Sequence, residues 1–591
     1  MTTVAERDQP GTTPHLSAAT RRGDRHPYLV VCVVLVAAVV QMVDVSIINV
    51  AVPALQSDLK ASTSSTQLVV AGYQLAFACV LIVSGRLGDL MGSRRIFLLG
   101  MVLFTAASAA CGAATSPGAL VAFRVVQGLA SGLMYPQAYS VVQLRIPEEK
   151  RRQAFGMVAA SLGLATILGP LVGGLFISWD VAGLGWRAIF YVNVPIGLAA
   201  VAGALLLLDN HRPPRTRRMD ISSAPLVVTG MFLLLFPLVR GRELGWPGWL
   251  LWMAAAGCAL LAAFVLRQRG AERSGKLPLL ELGLFRDRGF TVGLLVIVVF
   301  FAGLPVYALV FTLYLQIGYG ASALTAGVAT LPFALGTVVA SALSEKVSDR
   351  LGRYALGVPS LVMAIGMGAL AWQVDRAGAE LHVWSYAPML LVIGFGLGLF
   401  APVAVDRVLA GIHGRDAGSA SGALATSQQV GGAFGVALIG MAFFTFVGDN
   451  ALPAADAALR QARPALTAQG LPGRAVDQLS EGFRTCFHDR LTAADSRTLP
   501  ASCRASQQQK AQDSAVSGGH TGQGKETGDT GGTGHAGTAG KVRAELTGHV
   551  APRALSDAYG RGLHRTLLIE VGVYLVAALL ALLLPRPRRT E

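Results

Sequence analysis

The sequence predicts an all-α polytopic membrane protein of two related six-span halves with two further spans inserted between them, and three observations predict it. Hydrophobic residues make up 53% of the 591 positions and charged residues only 14%, with 69 glycines, the composition of a chain that lives in lipid. Apolar runs of spanning length follow one another near 28–52, 66–84, 95–115, 118–142, 154–178, 187–208, 222–239, 248–266, 289–315, 324–343, 355–373, 386–404, 418–447 and 565–584, which makes fourteen spans. The loop GRLGDLMGSRRIF, Gly85 to Phe97, recurs 260 residues later as SEKVSDRLGRY, Ser344 to Tyr354, and an internal repeat at that distance means two related halves.

Taken in order, residues 1–27 are polar and lack the short apolar core and cleavage site of a signal peptide, so they form a cytoplasmic tail ahead of an anchoring first span. Residues 28–208 hold spans 1 to 6, residues 209–288 the inserted spans 7 and 8 with their connections, and residues 289–584 spans 9 to 14. Within that last part, 448–564 is a long external segment, and 585–591 is a second cytoplasmic tail. The connections that lie inside when both termini are cytoplasmic carry 29 Lys and Arg, against 5 in the short outside loops, which sets the orientation. The same bias explains the net charge of +15 without nucleic acid, because no basic run is interleaved with aromatics.

The middle of the external segment, GGHTGQGKETGDTGGTGHAG, is Gly- and Thr-rich and is expected to be disordered. Gly519, Gly524 and Lys525 have the spacing of a phosphate-binding loop. Glu526 stands where a magnesium-binding hydroxyl belongs, however, and no strand precedes the motif, so no nucleotide is expected. Cys486 and Cys503 flank an external stretch and are candidates for a disulfide rather than a zinc site. Cys32, Cys79, Cys111 and Cys258 fall within spans as small apolar packers.

The repeated loops carry chemistry. Gly85, Gly88 and Gly92 permit close approach or reversal, Asp89 offers a carboxylate, and Arg86, Arg94 and Arg95 supply charge. In the second copy Asp349 matches Asp89, Gly352 matches Gly92 and Lys346 matches Arg86, with Arg350 and Arg353 beside them, while Glu345 and Ser348 replace two of the glycines. The carboxylates near helix N-termini, with the arginines nearby, form either a breakable clamp between the halves or solvated turns obeying the charge rule.

These motifs resemble the major facilitator superfamily, and the fourteen spans its drug:proton antiporter branch. GRLGDLMGSRR resembles the signature loop. MVDVSIINVAVPAL, Met42 to Leu55, is similar to the span 1 pattern with Asp44, Asn49 and Pro53 in place. LVAFRVVQGLASG, Leu120 to Gly132, matches span 4 with Arg124, Gln127, Gly128 and Gly132. GPLVGG matches the span 5 antiporter motif with Gly169, Pro170, Gly173 and Gly174, although Ala165 stands where a glycine is common. WRAIFYVNVPIG, Trp186 to Gly197, resembles the entry to span 6. The resemblance covers about residues 27–447 and 565–584. It implies the major facilitator fold, export of a lipophilic drug, antibiotic or secondary metabolite across the plasma membrane in exchange for protons, and a monomer without cofactor, metal, catalytic residues, nucleotide or nucleic acid. Spans 10 and 13 lack the acids that some drug exporters of the family carry.

Physical reasoning accompanies each motif. Gly169 and Gly173 form a small-residue ridge and Pro170 frees a backbone group, which serves helix packing, a hinge for alternating access, or both. Asp44 lies roughly 24 Å from the cytoplasmic end of span 1, and Arg124 about 9–10 Å in from the outer end of span 4. In a core about 30 Å thick both reach the outer third. A guanidinium beside Asp44 holds it ionised, and separation lets it take a proton, so the pair is either a coupling site or a static tie between spans 1 and 4. Gln41, Asn49, Gln127, Asn193 and Gln316, with Tyr135 and Tyr314, are substrate-cavity candidates, interhelical bonding and simple packing being the alternatives. Gln137 and Tyr191 belong to the same class. Asp406, beside Arg407, is expected in an interfacial ion pair. An uptake symporter for a nutrient is the rival function. A polytopic membrane enzyme is a rival of another class; it needs a catalytic cluster near the interface, and the sequence has no HExxH, no GxSxG and no paired His and carboxylate at useful spacing.

Overall fold

The structure is a computed structural model describing residues 27–61, 63–208, 221–241, 244–274, 276–376, 382–410, 412, 416–468, 473–492, 500–504, 541–542 and 544–585. The expected tails, and the Gly- and Thr-rich tract, lie outside the described residues apart from Pro27 and Pro585, as do the side chains of Asn49 and Pro170. Among the described residues there are helices and no strands.

The N-terminal helices are α1 (Pro27–Leu59), α2 (Thr63–Met91), α3 (Ser93–Gly112), α4 (Pro117–Arg145), α5 (Glu148–Ser178) and α6 (Asn193–Leu207), which pack on one another. Next come α7 (Ala224–Arg240) and α8 (Gly248–Arg273), which pair with each other, α7 also touching α2 and a later helix, α13. The second set is α9 (Arg288–Leu313), α10 (Leu331–Leu351), α11 (Gly357–Arg376), α12 (Ala387–Leu409), α13 (Ala417–Asp449) and, after an outer pair of helices, α16 (Ala551–Ala581). The two sets meet where α2 packs on α13 and where α5 packs on α10 and α12.

Local chemistry punctuates this order. The Ser116 side chain accepts from the Ala119 amide at 3.3 Å ahead of Pro117, and Asp287 accepts from Phe290 at 2.7 Å, capping α4 and α9. The matched glycines of the two signature loops, Gly92 and Gly352, both have positive φ, 94° and 52°. A residue with a Cβ avoids positive φ, so glycine is suited to both positions, although the two turns differ in ψ, 130° at Gly92 and −116° at Gly352. Apolar side chains such as Leu206, Trp252 and Leu579 are 65–80% exposed, as expected for a belt that faces lipid.

Among the described residues, twelve helical segments are long and apolar enough to cross a membrane. The fifth and seventh of the fourteen expected spans fall on α5 and α7, which are not among the twelve. With 17 residues, α7 reaches roughly 26 Å, short of a hydrocarbon core of about 30 Å.

The segment from residue 448 onward contains more regular structure than its polar sequence suggests. Helices α14 (Ala451–Thr467) and α15 (Gly473–Thr492) pack on each other, and Leu546–Val550 leads into α16. Ala451, Ala454, Ala455, Ala458, Ala462 and Leu466 form the buried stripe of α14. Cys486 and Cys503 are joined by a disulfide. Cys79 and Cys111 are buried as expected, whereas Cys32 and Cys258 are exposed on the helix surfaces and do not pack inside.

Candidate functional site

Asp44, Arg124, Gln127 and Asn193 come from α1, α4 and α6 to one point in the N-terminal set, and all four are buried. Arg124 Nη1 donates to Asp44 Oδ2 at 2.5 Å and to Gln127 Oε1 at 2.8 Å, and its Nε donates to the Val69 carbonyl at 3.2 Å. The amides of Gln127 and Asn193 both donate to Asp44 Oδ1 at 3.0 Å. Asn193 Nδ2 also donates to Ser108 Oγ at 3.1 Å, and that hydroxyl in turn donates to the Phe190 carbonyl at 2.8 Å. The guanidinium lies over the Tyr73 ring, 4.3 Å from its centroid. A carboxylate with one guanidinium and two amide donors is fully satisfied in its charged form, and moving any of these three helices breaks that satisfaction.

The span 5 glycines abut this centre. A Cβ on Gly169 would collide with Ser46 Oγ, and one on Gly173 would stand 2.7 Å from Ile47 Cγ1, so α5 rides on α1 within a turn of Asp44. Gly174 has no such neighbour.

At the signature-loop end, polar contacts bind the two sets together. Asp89 accepts from the backbone amides of Gly418 and Ser419, at 2.6 and 2.8 Å, at the N-terminus of α13, where the helix dipole favours an anion. Buried Arg86 faces three carboxylates, those of Asp89, Asp416 and Glu281 at 3.4, 3.5 and 3.8 Å, and donates to the Pro278 carbonyl at 2.9 Å. Gly85 meets Gly418 and Gly422 so closely that a Cβ would overlap the Gly418 carbonyl. On the other side Arg152 of α5 bonds Asp349 and also Asp406, the latter at 3.3 Å, while Gln143 donates to the Leu409 carbonyl at 2.8 Å.

The contacts between the two sets use different arginines from those expected. Arg94 donates to the Leu205 carbonyl at 2.8 Å within its own half, Arg95 is half-buried, Arg350 is exposed, and Arg353 reaches the Leu582 carbonyl at 3.4 Å. Arg407 bonds the Gly352 carbonyl rather than neighbouring Asp406. Among the described residues, Arg86 and Arg152 are the arginines of these loops and their neighbours whose ion pairs cross between the sets. Asp349, unlike Asp89, meets a guanidinium rather than a helix N-terminus.

Residues 34–436 match the Major Facilitator Superfamily. The chain belongs to the major facilitator superfamily. It is a multi-pass membrane transporter and not an enzyme. It is 38% identical over 477 residues to the protein named "Probable actinorhodin transporter" of Streptomyces coelicolor, covering 80% of this chain and 82% of that one. It is 33% identical to the tetracenomycin C resistance and export protein of Streptomyces glaucescens, over 81% and 90% of the two chains. The puromycin resistance protein pur8 of Streptomyces alboniger is 32% identical, over 74% and 86%. The solved proton:xylose symporter XylE shares the fold, with a TM-score of 0.51 at 15% identity over 71% of this chain and 89% of that one.

Within this superfamily member the expected cavity residues divide. Gln127 and Asn193 belong to the shell of Asp44, and Gln41, one turn before it, is buried. Tyr135 bonds the Tyr139 hydroxyl at 3.1 Å and packs edge-on against Phe77, while Gln137 donates to the Ser84 carbonyl at 2.9 Å. Tyr314 is buried with its hydroxyl 2.9 Å from that of Tyr386, in a single turn of π-helix that also contains half-buried Gln316. Such turns concentrate at functional sites.

Outside the spans, Asp58 at the end of α1 accepts from Trp186 Nε1 at 2.9 Å and Arg187 Nη1 at 2.6 Å. These bonds, the tryptophan's first, hold its carboxyl below the ordinary 3.8. A depressed value in the folded state means that the contact stabilises fully above about pH 4 and is lost as pH falls through the folded value. Melting of purified protein should accordingly show wild type above Asp58→Asn near neutral pH, with the gap closing on acidification. A gap that widens in acid would contradict the assignment.

Proposed function

We propose that the protein is a proton-coupled antiporter that expels lipophilic antibiotics or related secondary metabolites across the plasma membrane. It works as a monomer of fourteen spans, with the divisions at 28–208, 209–288 and 289–584 and both termini and signature loops cytoplasmic. The observation that carries the coupling is the Asp44 carboxylate, buried and shared among Arg124, Gln127 and Asn193 on two other helices. A helix shift that withdraws the guanidinium leaves the carboxylate costly unless it takes a proton, so protonation and conformation exchange together. The Gly169 and Gly173 ridge of α5, packed against α1, supplies the moving contact. The clamps at Asp89 and Arg152 hold the signature-loop face closed until substrate and proton exchange release them. The cargo class is supported by relatives named for actinorhodin, tetracenomycin C and puromycin.

The test uses these three compounds in cells lacking their own pumps. Export should stop when the proton gradient is collapsed while ATP stays high, since 100 mV supplies about 2.3 kcal/mol per charge. Export that survives the uncoupler and stops on ATP depletion would sink the reading, and proton-driven accumulation would favour the symporter.

A further inference from the structure

Glu570 on α16 is fully buried, and neither of its carboxyl oxygens has a hydrogen-bond partner. Tyr574, one turn along the same helix, and Tyr307 on α9 are buried with it, and their hydroxyls are also without partners. The Glu570 carboxyl is close enough to act electrostatically on both hydroxyls. Tyr574 Oη lies over Gly303 of α9, where a Cβ would stand 2.7 Å from it. The surroundings are aromatic: Phe300 lies edge-on to Tyr574 at 5.2 Å and stacks on Phe400 at 3.6 Å, and Phe333 is 5.9 Å from Tyr307.

No described cation pairs with this acid. Of the helices packed against α16, α11 has titratable groups only in its last turn, Asp375 and Arg376, and α13 only Asp449 at its end. On α14 stand Asp456, Arg460 and Arg463, near the outer end, and the turn after α9 brings Tyr314 and Tyr319. On α16 itself Asp557 pairs with Arg561, Tyr559 packs on Phe443, His564 bonds the Ala371 carbonyl at 2.9 Å, and Arg565 faces the Phe446 ring.

The placement parallels that of Asp44. Glu570 lies about 21 Å from the signature-loop end of its span and Asp44 about 24 Å from that of its own, at about 1.5 Å per residue. Each acid sits where the first and last helices of its half meet, Asp44 on α1 beside Asn193 of α6, and Glu570 on α16 beside Tyr307 of α9. An ionisable residue inside a membrane bundle is by default functional.

We propose that Glu570 is a second proton-carrying carboxyl of the transport cycle, with the Tyr307 and Tyr574 hydroxyls as the donors that receive its charge. This deepens the antiport reading and rests on it. In the conformer closed at the signature loops, Asp44 is paired and Glu570, without donors, carries its proton. When α9 and α16 shift, the Glu570 O–H bond breaks, the proton leaves to water, and the two tyrosine O–H groups turn onto the carboxylate. A proton from the opposite face later restores the acid. No electrons are transferred.

The experiment follows opening of the signature-loop face against pH in the full-length protein, with protons as the only ligand. Spectroscopic labels go on exposed positions of the two loops, Met91→Cys and Tyr354→Cys, in a Cys32→Ser, Cys258→Ser background. Opening gives a proton to Asp44 and takes one from Glu570, so the two dependences oppose each other and the parent should open with a shallow net response to pH. Glu570→Gln, which mimics the protonated acid, should leave the Asp44 uptake alone and make opening on acidification steeper. Tyr307→Phe with Tyr574→Phe should move the parent toward that steeper response, because the ionised acid loses its donors and gives up its proton less readily. This variant decides the matter on its own if Glu570→Gln fails to accumulate. A Glu570→Gln variant that accumulates and ignores pH would defeat the antiport reading itself. A steep parent response left unchanged by all three substitutions would defeat only the role of Glu570. An unchanged pH response with lost affinity for the lipophilic cation ethidium would make Glu570 a cation-recognition residue and overturn the proton role.

Discussion

Asp44→Asn should abolish proton-driven export while also destabilising the N-terminal half by about 3–5 kcal/mol, the usual cost of removing one partner from a buried ion pair. An amide resembles a protonated acid, which by itself would predict a milder outcome. The structure changes that expectation: Arg124 is buried and its Nη1 is directed at Asp44, so the substitution strands a guanidinium. Two roles for the pair are thereby separable. Adding Arg124→Gln to Asp44→Asn removes the stranded charge and should recover most of the lost stability, measured as melting temperature in detergent. If the pair is a static tie, the double variant recovers export along with stability. If Asp44 carries the proton, export against a gradient stays absent while the protein is well folded. Export with unchanged pH dependence in either variant would remove Asp44 from the mechanism.

Much of this centre was legible in the chain. Asp44 and Arg124 are isolated charges in apolar runs, and their depths coincide, which is enough to pair them. Gln127 lies three residues after Arg124, on the same helix face, so its place beside the carboxylate was also legible. It was assigned to the cavity because a one-dimensional pattern does not say which face meets which helix. Arg86 and Arg152 were harder to find, since their partners lie some 190 to 330 residues away and depend on how the halves dock. The α14 stripe was readable from alanines at helical spacing, yet alanine scarcely marks an apolar run. Glu570 is a lone acid inside the last apolar run, and a one-dimensional run does not show that its carboxyl is enclosed without a partner. The fourteen-span count came from runs of hydrophobic residues, and two of those runs fall on α5 and on the 17-residue α7, which are not among the twelve apolar segments of the described residues.

Gly85→Val is expected to reduce transport to a few per cent of wild type while leaving the amount of protein in the membrane nearly unchanged. Gly85 makes its close contacts across the join between the halves: a Cβ would overlap the Gly418 carbonyl and stand 2.9 Å from the Gly422 Cα. These are backbone atoms of α13 and cannot rotate aside as a side chain would. Gly418 itself is fixed from the other direction, since its amide donates to Asp89 at 2.6 Å and a Cβ on it would meet that same carboxylate. Overpacking of this kind costs typically about 1–3 kcal/mol. On the proposed gating, in which α2 and α13 part when the signature-loop face opens, the cost falls on the closed conformer alone. An equilibrium between closed and open forms then moves by roughly five- to 150-fold toward the open one. A transporter held open on one face binds substrate and fails to turn over, so substrate affinity persists while export disappears. The same labels at Met91→Cys and Tyr354→Cys should report a wider separation in this variant at every pH. Wild-type export with an unchanged separation would show that the Gly85 contact is not a gate. Loss of the protein from the membrane would show that the contact is needed to assemble the halves, which the mutual packing within α1–α6 argues against.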